Sequence, residues 1–339
     1  MFPFIDMGLD VKDKKILQEL DANPRIPLSR LAKKVRLSQQ VVDYRVKRLE
    51  EQGIIQHFGT IFNLSKIRYE QYRVFLQLGN VDDAEKKKII GYLQRHEQVY
   101  WAALIGSKWD LFVVVFVRNY EALEEFLDGM FQKFPKALRD YEALYVLYHE
   151  FYPHKFLGMR DSFKPLKVNS AVAGKYLALD KTDLQILHVL KIHCRTSSLE
   201  IAKTCKVSYK TVQNRIKKLE AEDMIIGYRM FLRSEAFHYK AYLLVFSFTS
   251  YGKKIEENFL RYVQQKQEIT QALKLFGRYS FMLHFRVRNE KELHHVIVDL
   301  RNRFPALGDY EIIPIFEDIA IDHFPMSGKL ISGRIHLSA

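Results

Sequence analysis

The fold is decided by the stretch LDVKDKKILQELDANPRIPLSRLAKKVRLSQQVVDYRVKRLEEQGII, which occupies residues 9–55. Its apolar residues recur at helical spacing, which predicts three helices, over residues 10–20, 28–35 and 39–52. Pro24 and Pro27 separate the first two helices, and the Ser38 hydroxyl can cap the third. Gly53 suits the position just after the third helix, where glycine is common. Helices joined by so short a turn are typical of a helix-turn-helix.

The chain repeats this stretch 170 residues later. LDKTDLQILHVLKIHCRTSSLEIAKTCKVSYKTVQNRIKKLEAEDMII occupies residues 179–226 and aligns with the first stretch without a gap. Among the identical pairs are Asp13 and Asp183, Arg45 and Arg215, and Glu50 and Glu220. The similarity continues to the Phe-Pro pairs at residues 134–135 and 304–305. The sequence therefore contains two tandem copies that cover nearly all of its 339 residues.

The remainder of each copy predicts an α/β domain of the order β-α-β-β-α-β, which is the ferredoxin-like pattern. In the first copy, strands are expected over 72–78, 99–105, 110–117 and 141–149, and helices over 84–96 and 120–133. In the second copy, strands are expected over 242–248, 269–276, 280–287 and 310–321, and helices over 255–265 and 290–303. Residues 54–64 predict a β-ribbon or wing after the first helix-turn-helix.

The predicted fold class is α+β, with two repeats that each join a winged helix-turn-helix to a ferredoxin-like effector or oligomerisation domain. The expected domains are a winged helix-turn-helix over 1–64, an α/β domain over 65–156, a linker over 157–178, a second winged helix-turn-helix over 179–234, a second α/β domain over 235–325 and a tail over 326–339. The linker is expected because this segment lacks periodicity and contains glycine, serine and proline.

The composition is that of a globular protein, with 48% hydrophobic and 27% charged residues. No apolar run is long enough for a transmembrane helix, and residues 1–15 lack the pattern of a signal peptide. Cys194 and Cys205 are too few for a disulfide framework. We therefore expect a protein of the reducing cytoplasm with no membrane partner.

The net charge of +13 is concentrated in the two repeated stretches and in the segments that connect the predicted domains. Residues 9–59 carry eleven basic and seven acidic residues, and residues 179–229 carry ten and six, so each stretch has a net charge of +4. The predicted α/β regions are near neutral, at −2 over residues 70–156 and +1 over residues 240–325. This distribution indicates an anionic partner for the helix-turn-helix units, and double-stranded DNA is the partner that such a motif meets.

The third helix of each copy has a polar face opposite its apolar stripe. Glutamine and asparagine amides can pair with adenine, and lysine can reach guanine or phosphate. The candidate DNA-binding residues are Ser38, Gln39, Gln40, Tyr44, Arg45, Lys47 and Arg48, with Ser208, Tyr209, Lys210, Gln213, Asn214, Arg215, Lys217 and Lys218. The alternative is a solvated helix face without a DNA partner. Because Asp43 counts against phosphate contact, the second copy is expected to bind more tightly.

Arg45 and Arg215 lie beside the apolar stripe of their helices, and the sequence leaves two roles open for them. Each arginine can hold a phosphate with its stem buried, or it can pair with an acid inside the fold.

Both repeated stretches resemble the winged helix-turn-helix of the Lrp/AsnC (leucine-responsive, feast/famine) regulator family, in which one copy per chain is usual. The resemblance implies α/β sheets that pair into homodimers or larger rings, either within this fused chain or between chains. It therefore implies a sequence-specific transcription regulator that presents two different recognition helices to non-identical half-sites.

The resemblance also implies an amino-acid effector held near the loop between the middle strands of each α/β domain. The residues that match this loop are Gly106, Trp109 and Asp110 in the first copy, and Gly277 and Tyr279 in the second. Ser280 replaces the acid in the second copy, which counts against ordinary amino-acid binding there. The alternative is a tight β-turn with an aromatic side chain packed against it.

No catalytic motif of the common enzyme classes is present, and neither a cofactor nor a metal is expected. His294 and His295 point in different directions on the predicted helix and are expected to be surface residues. One enzyme alternative remains, because sirohaem decarboxylases resemble the same family; only His96 matches their histidine-rich motif here. A second alternative is an amino-acid sensor or assembly module that does not bind DNA.

Overall fold

The computed structural model describes residues 9–157, 164–170, 176–191, 193–250 and 252–321. The helices are α1 (Val11–Ala22), α2 (Leu28–Val35), α3 (Gln39–Glu51), α4 (Asp83–Arg95), α5 (Tyr120–Lys133), α6 (Lys181–Leu190), α7 (Ser198–Cys205), α8 (Tyr209–Ala221), α9 (Lys253–Gln265) and α10 (Glu290–Arg303). The strands are β1 (Ile55–Phe62), β2 (Glu70–Leu78), β3 (Val99–Ile105), β4 (Leu111–Val117), β5 (Leu138–Phe151), β6 (Leu166–Asn169), β7 (Ile225–Leu232), β8 (Lys240–Phe248), β9 (Ile269–Phe276), β10 (Phe281–Val287) and β11 (Leu307–Ile321).

The two helix-turn-helix units form as the sequence predicts. Asp10 accepts from the backbone of Asp13 and Asp13 accepts from the backbone of Asp10, so α1 begins with a reciprocal cap. The Ser38 hydroxyl caps α3, and Gly53 has a φ of +67°, as its predicted place after the helix requires. The apolar stripe of α3, formed by Val42, Val46 and Leu49, is buried.

The strands that follow the two units pair with each other, and this differs from the expected wing inside one copy. β1 and β7 form an antiparallel two-stranded ribbon in which Gly59 lies opposite Arg229 and Phe58 lies opposite Met230. Gly59 and Arg229 occupy equivalent positions in the two copies, so a pseudo-two-fold axis passes between them. The physical reason is that a single strand such as β1 or β7 has unpaired backbone N–H and C=O groups, and the equivalent strand of the other copy pairs with them.

Both α/β halves show the predicted β-α-β-β-α-β order. The first half has the strand order β5-β2-β4-β3 and the second has β11-β8-β10-β9. β3 pairs with β11 and β5 pairs with β9, so the two sheets join into one closed set of strands. The pairing of the α/β copies, which the sequence left open, is therefore made within one chain.

The long last strands of the two halves make this joining possible. Residues 138–145 of β5 pair with β2 of their own half, and residues 145–151 pair with β9. β11 does the same with β8 and then with β3. Each strand is therefore long enough to complete one sheet and to begin the next.

The helices of the α/β halves cover the outer faces of the sheets, and apolar side chains fill the space between the sheets. Phe75, Phe112, Val245 and Met282 are fully buried in this inner layer. The four apolar clusters together run from one helix-turn-helix unit through the sheets to the other.

The segment expected to be a linker contains the short strand β6, which pairs with the end of β5. Leu166 of this strand packs so closely on Gly227 that a Cβ there would lie 2.7 Å from the leucine Cδ2. This contact holds β6 against β7 despite the loop-like composition of the sequence around it. The expected tail over 326–339 lies outside the described residues. Among the described helices, none is long and apolar enough to span a bilayer.

Candidate nucleic-acid interface and cationic cavity

The polar faces of α3 and α8 are exposed, as a surface that reads DNA must be. Tyr44 is 65% exposed on α3, and Tyr209 is 48% exposed on α8. The other exposed candidates are Ser38, Gln39, Gln40 and Lys47 in the first copy, and Ser208, Lys210, Asn214, Lys217 and Lys218 in the second. Gln213 is half-buried, and its amide donates to the Tyr209 hydroxyl at 2.7 Å.

All three candidate arginines are engaged inside the fold. Arg45 contacts the buried carboxylate of Asp13 at 2.8 Å, and Arg48 contacts the same carboxylate at 2.5 Å. In the second copy, Arg215 contacts Asp180 at 2.7 Å and Asp183 at 3.1 Å. The structure therefore places Arg45 and Arg215 in the second of the two roles left open by the sequence. They fix the recognition helix against the first helix of each unit.

The ion pairs also raise the pKa of two of these arginines. Hydrogen bonds to Asp10 and Asp13 raise the pKa of Arg45. The carboxylate of Asp183 raises the pKa of Arg215, with Asp180 adding to it. Both guanidinium groups therefore stay charged at every physiological pH.

The exposed polar faces of α3 and α8 differ in how many of their lysines are held in an ion pair. In the first copy, the Lys47 ammonium is 2.8 Å from Asp43, one turn earlier on the same helix. In the second copy, Lys210, Asn214 and Lys217 are exposed and have no partner among the residues that the structure describes. The α8 face is therefore the more cationic of the two.

The loops expected to bind an effector are built as tight turns. Trp109 and Tyr279 are buried in the layer between the sheets. One Asp110 carboxylate oxygen accepts from the backbone of Leu78 at 2.7 Å, which ties that side chain to the strand edge. Gly277 has a φ of +142°, and a Cβ on it would lie 2.7 Å from Leu144. These contacts favour the alternative role of a turn with a packed aromatic side chain.

Gly106 completes the first of these loops and is also closely packed. A Cβ at this position would lie 2.6 Å from the ring of Phe316. A side chain here would have to displace the exposed Phe316 ring, because β11 passes over the turn and the Gly106 N–H donates to the Pro314 carbonyl at 2.9 Å.

A cavity of about 140 Å³ lies where the β1–β7 ribbon crosses the end of the two sheets. Its floor is the inner layer between the sheets, and its roof is the ribbon, which contributes His57, Arg229 and Phe231. Aromatic side chains, among them Tyr100, Trp101 and Tyr242, form much of the wall. We call this space the cationic cavity. The basic side chains that line it are Arg73, Arg229 and Arg286, with His57, His149, His154 and His284.

The basic groups deep in the cationic cavity have few acceptors. Arg73 is 2% exposed and contacts the Nδ1 atom of His149 at 3.3 Å, while Arg229 donates to the Tyr152 carbonyl at 2.7 Å. Arg73 Nε, His284 Nε2 and Arg286 Nη1 are buried and have no hydrogen-bond partner in the described part of the chain. Unpaired buried donors of this kind are costly, and they are suited to an anionic ligand.

Burial governs the titration of these groups. It lowers the pKa of Arg73 to about 9 and that of Arg229 to about 10. It also lowers the pKa of His284 well below the ordinary range, and the neighbouring Arg73 lowers it further. At neutral pH the histidine is therefore uncharged, and the guanidinium groups remain the cations of the cavity.

The sequence-based reasoning missed this site, although a signal for it exists. Arg73, His284 and Arg286 interrupt apolar strands at positions whose side chains point between the sheets. A basic residue on the inward face of a strand is unusual and marks a buried polar site.

The remaining polar residues singled out in the sequence do not assemble into a site. His294 and His295 are exposed on α10, as expected. His96 ends α4, and its ring packs against Tyr92 and Phe126 rather than lining the cationic cavity. Among the described residues, no group of histidine, cysteine and acidic side chains could hold a metal ion.

Two family models match the helix-turn-helix units. Residues 9–56 match a winged helix-turn-helix DNA-binding domain, and residues 179–220 match the AsnC-type helix-turn-helix domain. A helix-turn-helix transcriptional regulator of Pyrococcus horikoshii is 31% identical over 116 residues, which are 34% of this chain and 77% of that protein. The leucine-responsive regulatory protein of Haemophilus influenzae is 26% identical over 43% of this chain and 89% of that protein.

One solved structure is similar over almost the whole chain. A sirohaem decarboxylase matches 96% of this chain and 100% of its own, with a TM-score of 0.62 and 14% identity. The same enzyme bound to an iron-uroporphyrin III analogue has a TM-score of 0.63 and 15% identity. At this level of identity the similarity establishes a shared fold and nothing further.

Proposed function

Because this chain belongs to the Lrp/AsnC family of helix-turn-helix transcription regulators, we propose that it is a sequence-specific regulator that binds double-stranded DNA through α3 and α8. The observation that carries the proposal is the pair of capped recognition helices, each with an exposed polar face. Ser38 and Ser208 are the N-cap residues of α3 and α8, and the backbone N–H groups beside them can contact phosphate. The exposed side chains that follow them can reach base edges.

The proposed interface divides the candidate residues by role. Lys210, Asn214 and Lys217 make the dominant contacts, because they are exposed and unpaired among the described residues. Gln40 and Tyr44 supply the weaker face of the first copy. Since the chain carries both helices around one pseudo-two-fold axis, a single chain is the unit that binds one operator with two unequal half-sites.

Three finer features belong to the same proposal. The protein acts in the cytoplasm, where chromosomal DNA is found in prokaryotes. A small-molecule effector modulates binding, as in relatives that respond to amino acids. The strand edges of the two α/β halves already pair with each other within this chain. A homo-oligomer therefore joins complete chains through other surfaces of the α/β domains, and each added chain brings a further pair of recognition helices.

Binding to the protein's own promoter region is the direct test. We expect the full chain to shift this fragment at least tenfold more tightly than random DNA of equal length, and to weaken steeply as salt rises, because phosphate contacts release counterions. Equal affinity for promoter and random DNA at low salt would contradict the proposal.

A second candidate function is a decarboxylation of a sirohaem-like tetrapyrrole in the cationic cavity. The observation that favours it is the set of buried arginine and histidine side chains between aromatic walls. Against it stands the position of His96, which does not line the cavity. Incubation of the purified protein with sirohaem distinguishes the two functions: release of CO₂ supports the enzyme, whereas its absence together with promoter binding supports the regulator.

A further inference from the structure

The cationic cavity is built by one copy-specific set of residues, although the two copies share a scaffold. Arg73 of β2 faces Val114 of β4 across the first sheet. The equivalent pair in the second half is Leu243 of β8 and His284 of β10. Each basic residue therefore stands where the other copy has a buried apolar residue.

The other two arginines follow the same rule. Arg286 corresponds to the buried Phe116, and Arg229 lies opposite its own equivalent, Gly59. His149 corresponds to Asp318, because the two face equivalent residues, Leu273 and Ala103, on the crossing strands. The pseudo-two-fold axis would allow two equivalent basic clusters in the chain. Because the equivalent positions hold other residue types, the chain has one such cluster.

Such a cluster is unfavourable for folding by itself. Replacing a buried ion by an apolar residue of similar size is often neutral or stabilising, and the other copy shows that apolar side chains fit these positions. The carboxylates that line the cavity, Glu235, Glu317 and Asp318, lie on its exposed rim rather than beside Arg73. The buried acid nearby, Asp21, pairs with His154 at 2.6 Å and leaves the buried donors of Arg73 and Arg286 without an acceptor in the described part of the chain. A cluster that costs stability and keeps unsatisfied buried donors indicates a ligand that supplies further negative charge.

We propose that the cationic cavity binds a small organic anion that carries at least two carboxylates on a flat, apolar body. Arg73 and Arg286 hold the carboxylates through donors that are otherwise unsatisfied, and His284 donates to them through Nε2. Trp101 and Phe231 enclose the apolar body. No residue of the loops at 106–110 and 277–280 lines this site, although Phe316 of its wall packs on Gly106. Its occupancy does not depend on DNA.

The test uses benzene-1,3-dicarboxylate as the probe, with its uncharged diamide and inorganic phosphate as matched controls. At about 10 mM, the dicarboxylate is expected to raise the Tm of the full chain by several degrees, because it binds the folded state alone. The diamide and phosphate are expected to raise it by less than about one degree. No shift with the dicarboxylate, or an equal shift with either control, would overturn the proposal.

Two variants take their residues from the other copy: Arg73→Leu and His284→Val. We expect Arg73→Leu to leave the Tm of the free protein unchanged or higher while weakening dicarboxylate binding at least tenfold in calorimetry. His284→Val is expected to weaken binding with the fold intact, and exposed Arg139→Leu is expected to bind as the wild type does. A Tm loss in Arg73→Leu with undiminished binding in His284→Val would show a structural cluster and no ligand site.

Discussion

At the scale of single residues, the charged groups of this protein divide into those that hold the fold and those that the fold leaves unsatisfied. Asp13 belongs to the first group, since one buried carboxylate receives both Arg45 and Arg48. Arg73 belongs to the second, since its Nε atom is buried without a partner in the described chain. Arginine therefore stabilises the fold where it is paired, at Arg45 and Arg48, and costs stability where it is buried without an acid, at Arg73.

Asp13→Asn tests the structural role of the first group. It leaves two partly buried guanidinium groups without their shared anion, so we expect the free energy of unfolding to fall by about 2 kcal/mol in urea denaturation. Asp43→Asn, which breaks only the exposed pair with Lys47, is the matched control and should leave the urea midpoint unchanged within error. Equal losses in the two variants would refute the structural assignment.

The buried histidines predict a loss of stability in mild acid. Burial lowers the pKa of His57 from its usual 6.5 to about 4, and the nearby His193 lowers it further. Between these values the unfolded chain binds a proton that the folded chain does not, so stability is present above pH 6.5 and is lost as pH falls. From pH 7 to pH 5, His57 alone accounts for a loss of about 2 kcal/mol.

The variant His57→Gln isolates this contribution. Its free energy of unfolding should decline less between pH 7 and pH 5 than that of the wild type, whereas the exposed His294→Gln should follow the wild type. An identical decline in all three proteins would show that His57 does not titrate as its burial predicts.

At the scale of elements, the ribbon of β1 and β7 and the recognition helices that precede its strands decide how DNA can be read. Gly53 lets the chain leave α3 and enter β1, and Gly59 marks the pseudo-two-fold axis at which β1 meets β7. α3 and α8 are thereby presented as a pair by one chain. The two helices share their packing stripe and their arginine anchor, but they differ in the side chains that face the solvent.

The difference between the recognition helices predicts unequal contributions to DNA binding. Lys210→Ala with Asn214→Ala should weaken binding to the promoter fragment by tenfold or more, because both side chains are exposed and unpaired among the described residues. Gln40→Ala with Tyr44→Ala should cost less than about threefold. Fluorescence anisotropy on the same duplex measures both.

A control for lost charge is Lys87→Ala with Lys88→Ala on α4, outside both helix-turn-helix units. It should change affinity by less than about twofold at moderate salt. Similar losses in the α3 and α8 variants would contradict the dominance of the second copy.

At the scale of the whole molecule, the sequence predicted the repeat, the two helix-turn-helix units and the order of the α/β elements, because helix caps and apolar spacing are local signals. It did not predict that β1 pairs with β7 or that β5 pairs with β9, since partner choice depends on strand edges far apart in the chain. The cationic cavity was missed for the same reason. Arg73, Arg229 and His284 become neighbours of one space only after both copies have folded together.

The central claim is that one chain reads two unequal half-sites, and selection from a pool of random DNA duplexes by the full protein tests it most directly. We predict an enriched site with two different half-sites whose centres lie about one helical turn, roughly 10 base pairs, or a multiple of it apart. Substituting Lys210 and Asn214 by alanine should erase the information in one half-site and leave the other. A pool without any enriched sequence, or a perfect palindrome in which both halves respond alike to this variant, would contradict the account.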